Sequence, residues 1–198
     1  MTTTDGPVRP YHHGSLRPAL VDAAVATLDE SGPGSTSLRA VARRAGVTHA
    51  AATYHFGDKA GLLTAVAAQG YRMLADALVA AERGGGTFLD VGVAYVRFAV
   101  THRAHFEVMF RPELLRGDDP ELREARAASS RALYGTGRAS REQLTYGVAA
   151  WALVHGIATL WLNGNLPAQL GDDPEAITRL VAVHLAAGSR TTARESSA

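Results

Sequence analysis

The segment RAGVTHAAATYHF, Arg44 to Phe56, decides how this chain is read. A Gly46-Val47 turn leads into a short helix with Ala50-Ala51-Ala52 at its middle, which runs out in Thr53-Tyr54-His55-Phe56. Alanines give a low surface that can press against something flat or grooved, while Thr48, His49, Thr53, Tyr54 and His55 carry hydrogen-bonding groups. Such a surface suits recognition rather than catalysis.

Two helices crossing steeply through a turn of three or four residues, often with glycine in it, make a helix-turn-helix. Upstream, Ser37 is placed to cap a helix with Leu38, Val41, Ala42 and Ala45 on one face, and Gly46 ends it. Ala42 is small where the two helices approach, Gly46 suits a left-handed turn, and Val47 and Ala52 close a miniature core. Thr48 caps the short helix. In this geometry the short helix lies in the major groove with its N-terminal half toward base edges. Its alanines touch thymine methyl groups, Thr48 and His49 bond bases or phosphates, and Tyr54, His55 and Lys59 meet the phosphate backbone. Phe56 reads as a core plug.

Composition sets the outer limits. The chain has 198 residues, 46% of them hydrophobic, and a net charge of +1, so it can bury one good core or two small ones. Overall electrostatics would not hold it on nucleic acid, and binding must rest on a local patch. Between Thr36 and Lys59 the cations Arg39, Arg43, Arg44 and Lys59 face the single anion Asp58. Cysteine is absent, which removes disulfides, thiol nucleophiles and cysteine-ligated zinc and fits a cytoplasmic location. Residues 1–13 lack the apolar stretch of a secretion signal and read as a flexible arm, with His12 and His13 solvated.

A helical period recurs from Ser15 almost to the end without convincing period-two alternation, so the chain reads as all-α. Ser15 is placed to cap the first helix, and Ser31-Gly32-Pro33-Gly34 stops it. Asp58 caps a long fourth helix that runs to Gly84-Gly85-Gly86, the clearest internal break. Thr87 restarts a helix with Phe88, Val91, Tyr95, Phe98 and His102 aligned, followed by a short helix stopped near Pro112. A polar helix from Glu121 to Tyr134 ends at Gly135 and Gly137. Ser140 opens a long apolar helix, Asn163-Gly164-Asn165 closes it, and a last helix runs from about Pro174 to Ala187. From Leu144 to Leu162 there is no formal charge, close to the about 20 residues a membrane span needs. Thr145, Tyr146, His155 and Thr159 within it favour a buried core helix.

SLRAVARRAGVTHAAATYHFGDKAGLLTAVA, Ser37 to Ala67, resembles the DNA-binding segment of the TetR family of transcriptional regulators, and YHHGSLRPALVDAA, Tyr11 to Ala24, is similar to the first helix of one of its branches. The stretch AWALVHGIATLWLNG, with Trp151, His155 and Gly156, resembles a Trp-His-Gly signature in the regulatory domain of some members. The resemblance implies DNA contacts from the short third helix and from the Lys that opens the fourth, here Thr48, His49, Ala50, Thr53, Tyr54, His55 and Lys59; Ser37 and Arg39 complete the expected interface. The family often has Tyr two residues before the His, where this chain has Thr53, with its Tyr shifted to Tyr54.

The expected organisation is an arm at 1–13, a DNA-binding domain at 14–74 with the helix-turn-helix at about 37–56, a helical regulatory and dimerisation domain at 75–188, and a disordered tail at 189–198. The resemblance implies a homodimer, and one short helix reads too few bases for useful specificity; the helices at Ser140–Leu162 and Pro174–Ala187 are the candidate seam. It also implies a small-molecule effector held between regulatory helices, for which Tyr95, Phe98, His102, Phe106, Met109, Trp151 and His155 are the candidate lining. An effector favouring a wider spacing of the recognition helices would release a near-palindromic operator, with the long fourth helix as lever. His102 and His105, near Glu107, read as a solvated pair rather than a metal site. No cofactor is expected. A small helical enzyme, lacking any recognisable catalytic constellation, and a membrane-anchored helical protein are the alternatives.

Overall fold

The structure is a computed structural model that describes residues 16–135 and 140–183. The expected arm, the Ser15 cap, Gly137, the end of the last helix and the C-terminal tail lie outside the described residues. Among those residues every regular element is helical, as an all-α chain requires. Two compact units divide between Leu62 and Leu63.

In the first unit, α1 (Leu16–Ser35) breaks at Gly32, where φ is +69° and ψ 171°. Pro33 then opens one further turn, a position where its missing N–H costs nothing. Helix α2 (Leu38–Arg44) is capped by the Ser37 hydroxyl, which accepts from the Ala40 N–H. It ends where Gly46, at φ +69°, lets the Gly46 N–H reach the Arg43 carbonyl and the Val47 N–H reach the Ala42 carbonyl. Helix α3 (His49–Phe56) starts on the Thr48 hydroxyl, which accepts from the Ala51 N–H. Leu20, Val21, Ala24 and Leu28 of α1, Leu38, Val41 and Ala42 of α2, and Ala52 and Phe56 of α3 are buried together. Phe56 is the plug expected, and the Arg17 guanidinium lies over its ring, 5.7 Å from the centroid.

Helix α4 (Lys59–Arg83) begins where the Asp58 carboxylate accepts from the Gly61 N–H, and the division between the units falls inside it. In the second unit Gly70 of α4 lets α6 (Arg103–Met109) approach closely: a Cβ there would lie 2.6 Å from Met109 Sδ and 3.0 Å from His105 Cβ. The Tyr71 hydroxyl donates to the Met109 carbonyl at 2.7 Å. Helix α5 (Phe88–Thr101) opens with a capping box, Thr87 and Asp90 each satisfying the other's backbone N–H. It packs on α8 (Arg141–Leu162), which α7 (Pro120–Tyr134) also contacts. His102 sits at the bend between α5 and α6, so α5 ends before the aligned stripe expected from sequence reaches it.

The last described helix, α9 (174–183), is tied to α5 by two ion pairs, Arg97 to Glu175 at 2.5 Å and Arg179 to Asp90 at 2.9 Å. Its own Ile177 and Thr178 are buried.

Two readings need correction. Helix α8 is long and apolar enough to cross a bilayer by length and composition, yet it is not buried all round. Ala150, Val154, Ile157 and Ala158 face the core, while Leu144, Tyr146, Val148 and Leu160 are exposed. His105 is not solvated; it is buried, with Nε2 3.0 Å from the Gln69 side-chain oxygen and its ring 6.0 Å from that of His102.

Candidate nucleic-acid interface

Helix α3 has two distinct sides. Ala52 and Phe56 point into the core of the first unit, and this leaves His49, Ala50, Thr53 and Tyr54 exposed on the opposite side. The spacing follows from the helix repeat: residues 52 and 56 share one face, and 49, 50, 53 and 54 span the other. Tyr54 is 87% exposed, far more than an aromatic ring needs for packing alone. Its ring meets that of His55 edge-on at 5.4 Å. Thr53 donates its hydroxyl to the His49 carbonyl at 3.0 Å, which holds the hydroxyl against the helix's own backbone. Leu16, Val47, Thr48 and Ala51 border a shallow depression beside Tyr54 and His55.

Around this helix the structure gathers most of the expected residues and redirects two. Ser37 and Arg39 are exposed at the start of α2. Lys59 donates from Nζ to the Gly34 carbonyl at 3.1 Å, which uses one of its three ammonium donors. Arg44 has left the local patch: its Nη1 and Nη2 grip the two carboxylate oxygens of Glu30 at 2.6 and 2.8 Å. The hydrogen bonds from Arg44, and then its charge, hold the Glu30 carboxyl below its ordinary value, and Glu30 raises Arg44 in turn. The charge count missed this pair because Glu30 lies 14 residues upstream.

The second unit holds a half-open cavity of about 260 Å³ between α5, α7, α8 and α9. Of the seven lining residues expected, Tyr95 and Trp151 border it, and the rest of its wall comes from residues such as Leu89, Val91, Gly92, Ala150 and Val154. Phe106 and Met109 are core residues beside it. Phe98 and His102 face a separate open groove with Met73, Asp76 and Arg97. A stripe along one helix cannot reveal a wall shared by four; the nearest sequence signal is Gly92 and Gly147, bare positions in apolar helices.

At the cavity's inner end three side chains form a hydrogen-bonded chain. Trp151 Nε1 donates to the Tyr95 hydroxyl oxygen at 3.1 Å, and that hydroxyl lies 2.9 Å from His155 Nδ1. Indole is a donor only, so the Tyr95 oxygen accepts from Trp151, and its hydroxyl pairs with His155 Nδ1 as donor or acceptor according to the imidazole tautomer. Burial raises the Tyr95 hydroxyl pKa, against the opposing hydrogen bond from Trp151, and burial lowers that of His155. Both groups are therefore neutral near pH 7. The Phe110 ring closes on His155 at 4.6 Å between centroids.

With the geometry in view, the chain can be compared with known proteins. The family model described as "Bacterial regulatory proteins, tetR family" matches residues 20–66, and that described as "Tetracyclin repressor-like, C-terminal domain" matches residues 88–185. An HTH-type transcriptional regulator BetI of Burkholderia thailandensis is 28% identical over 162 residues, covering 76% of this chain and 82% of that protein. The BetI of Paraburkholderia phymatum is 45% identical, but over 49 residues, a span of 25% of each chain. Among solved structures, a Rhodococcus sp. RHA1 protein described as of unknown function is 32% identical, covers 91% of this chain with 98% of its own length matched, and gives a TM-score of 0.74. The regulator LfrR of Mycobacterium smegmatis, solved with proflavine, shares the fold at 18% identity and a TM-score of 0.59, over 87% of this chain and 96% of its own.

Proposed function

The chain belongs to the TetR family of bacterial regulatory proteins, and on that premise we propose that it is a cytoplasmic, ligand-responsive repressor. It binds a near-palindromic operator as a homodimer and is released by a small-molecule effector. TetR-family proteins are helix-turn-helix transcriptional regulators, not enzymes. The observation that carries the DNA reading is the bare face of α3, where His49, Ala50, Thr53 and Tyr54 stand exposed while Ala52 and Phe56 anchor the helix from behind.

Two subunits are needed because a single eight-residue helix reads too few base pairs for specificity, whereas two helices about 34–36 Å apart read successive major grooves. The apolar side chains left outward on α8 (Leu144, Val148, Leu160) and α9 (Leu180, Val183) supply a seam, and two copies of this helix pair make a four-helix bundle. Gly156 supports it. Among the described residues a Cβ there would meet nothing within 4 Å, so they give no reason for a helix-interior glycine that disfavours the helix by about 1 kcal/mol. A second copy packed closely against α8 does.

The effector belongs in the cavity between α5 and α8. Its binding favours a dimer whose recognition helices are spaced wrongly for the operator, with α4 carrying the change, and a coupling of about 1–3 kcal/mol lowers DNA affinity about 5- to 150-fold. Incubating purified full-length chain with duplexes drawn from DNA flanking its own gene, and measuring retention by anisotropy, tests the DNA-binding reading. A specific duplex must be held at least about 1,000-fold more tightly than random sequence, and equal retention of both would overturn the reading.

A further inference from the structure

We infer that the cavity between α5 and α8 takes an uncharged, hydrophobic ligand about the size of two fused rings, and rejects carboxylates and ammonium ions of the same size. This rests on the proposed effector site and names the chemistry it accepts.

Size comes first. The cavity measures about 260 Å³, whereas about 150 Å³ suffices for benzene in a dry protein interior. Charge comes second. Among the described residues lining it there is no Asp, Glu, Lys, Arg or His, so an ion entering would lose its hydration with no counter-charge to replace it. The polar lining atoms are largely occupied within the protein. The Trp151 N–H is spent on Tyr95, and the Tyr95 hydroxyl is paired with His155 Nδ1. The Thr87 hydroxyl donates to the Asp90 carboxylate at 2.7 Å. At the outer end Phe88 and Tyr146, both exposed, lie tilted to each other with centroids 5.3 Å apart and offer aromatic surface to a flat ligand.

Calorimetric titration of the full-length chain with naphthalene, 2-naphthol, 2-naphthoate and 2-naphthylmethylammonium, at one pH near 7, tests the assignment. The two neutral probes should bind at least about tenfold more tightly than either ion. Ala150→Leu, which narrows the cavity, should abolish 2-naphthol binding. Should that variant fail to fold, Val91→Asp places a carboxylate on the wall and should raise the affinity of the ammonium probe at least about tenfold. Equal or tighter binding of either ion to the unaltered chain overturns the inference, as does the absence of heat with all four probes. Neutral probes that bind while leaving operator affinity unchanged sustain the inference and overturn only the effector reading on which it was built.

Discussion

The Arg44 guanidinium and the Glu30 carboxylate form a two-point ion pair, 2.6 and 2.8 Å, that ties the end of α2 to α1. This pair braces the helix-turn-helix, and the expectation is that Arg44 makes no phosphate contact. In Arg44→Ala the dependence of log affinity on log salt should keep its slope, whereas loss of a phosphate contact flattens it by about one. A slope reduced by about one in this variant would put Arg44 at the phosphate backbone after all.

Lys59 and His49 are expected to act differently. Lys59 keeps two ammonium donors beyond its bond to the Gly34 carbonyl, so Lys59→Ala should weaken binding to every sequence and flatten the salt slope by about one unit. His49→Ala should chiefly relax base preference, costing about 1–3 kcal/mol on the operator and little on random duplex. Equal losses on the two duplexes for His49→Ala would make it a phosphate contact.

Tyr54 stands 87% exposed, so Tyr54→Ala should leave the melting temperature of the free protein unchanged within about 0.5 kcal/mol of stability while lowering operator affinity. A clear drop in melting temperature would mean that the ring packs within the protein instead. The same comparison on Thr53→Ala shows which of the two residues serves where relatives often place Tyr.

Gly156→Leu tests the seam. Among the described residues a Cβ there meets nothing within 4 Å, so far-ultraviolet circular dichroism should be preserved while sedimentation velocity reports a monomer. A variant that remains dimeric would place the seam away from this face of α8.

The pH dependence of stability has a sign fixed by His155. Burial lowers its pKa in the folded state, so below about pH 6.5, the value for an unperturbed imidazole, the unfolded chain takes up a proton more readily than the folded one. Stability is fully present above that value and falls as the pH drops toward the folded-state pKa. The Asp90 carboxyl contributes in a separate window. It is held at about 2 by hydrogen bonds from the Thr87 side chain and backbone and then from Arg179, and its contribution is lost only as the pH falls from the ordinary carboxylate range toward 2. Between pH 7 and 5, His155→Gln should therefore lose less melting temperature than the unaltered chain, and an identical loss in both would assign the dependence elsewhere.

Local signals made the helix ends legible in the sequence. Ser37, Thr48, Asp58, Thr87 and Ser140 each accept the backbone N–H expected of a cap, and Gly46 makes the turn that defines the helix-turn-helix. These features depend on residues three or four apart. What the sequence hid depends on residues far apart. The Glu30 to Arg44 pair, the burial of His105 against Gln69 and the cavity wall shared by four helices all need the tertiary packing. Helix α8 was the most ambiguous, because an apolar helix face looks the same in sequence whether its own chain, a second chain or lipid covers it.

The most direct test of the central claim is the stoichiometry and footprint of the protein on its operator. Hydroxyl-radical footprinting of a duplex identified from its own genomic neighbourhood, combined with sedimentation of the complex, should show two protomers and two protected half-sites one helical turn, about 34–36 Å, or a multiple of it apart. Protection of a single half-site by one protomer, or protection confined to the minor groove, would contradict the placement of α3 in the major groove of a twofold-symmetric site.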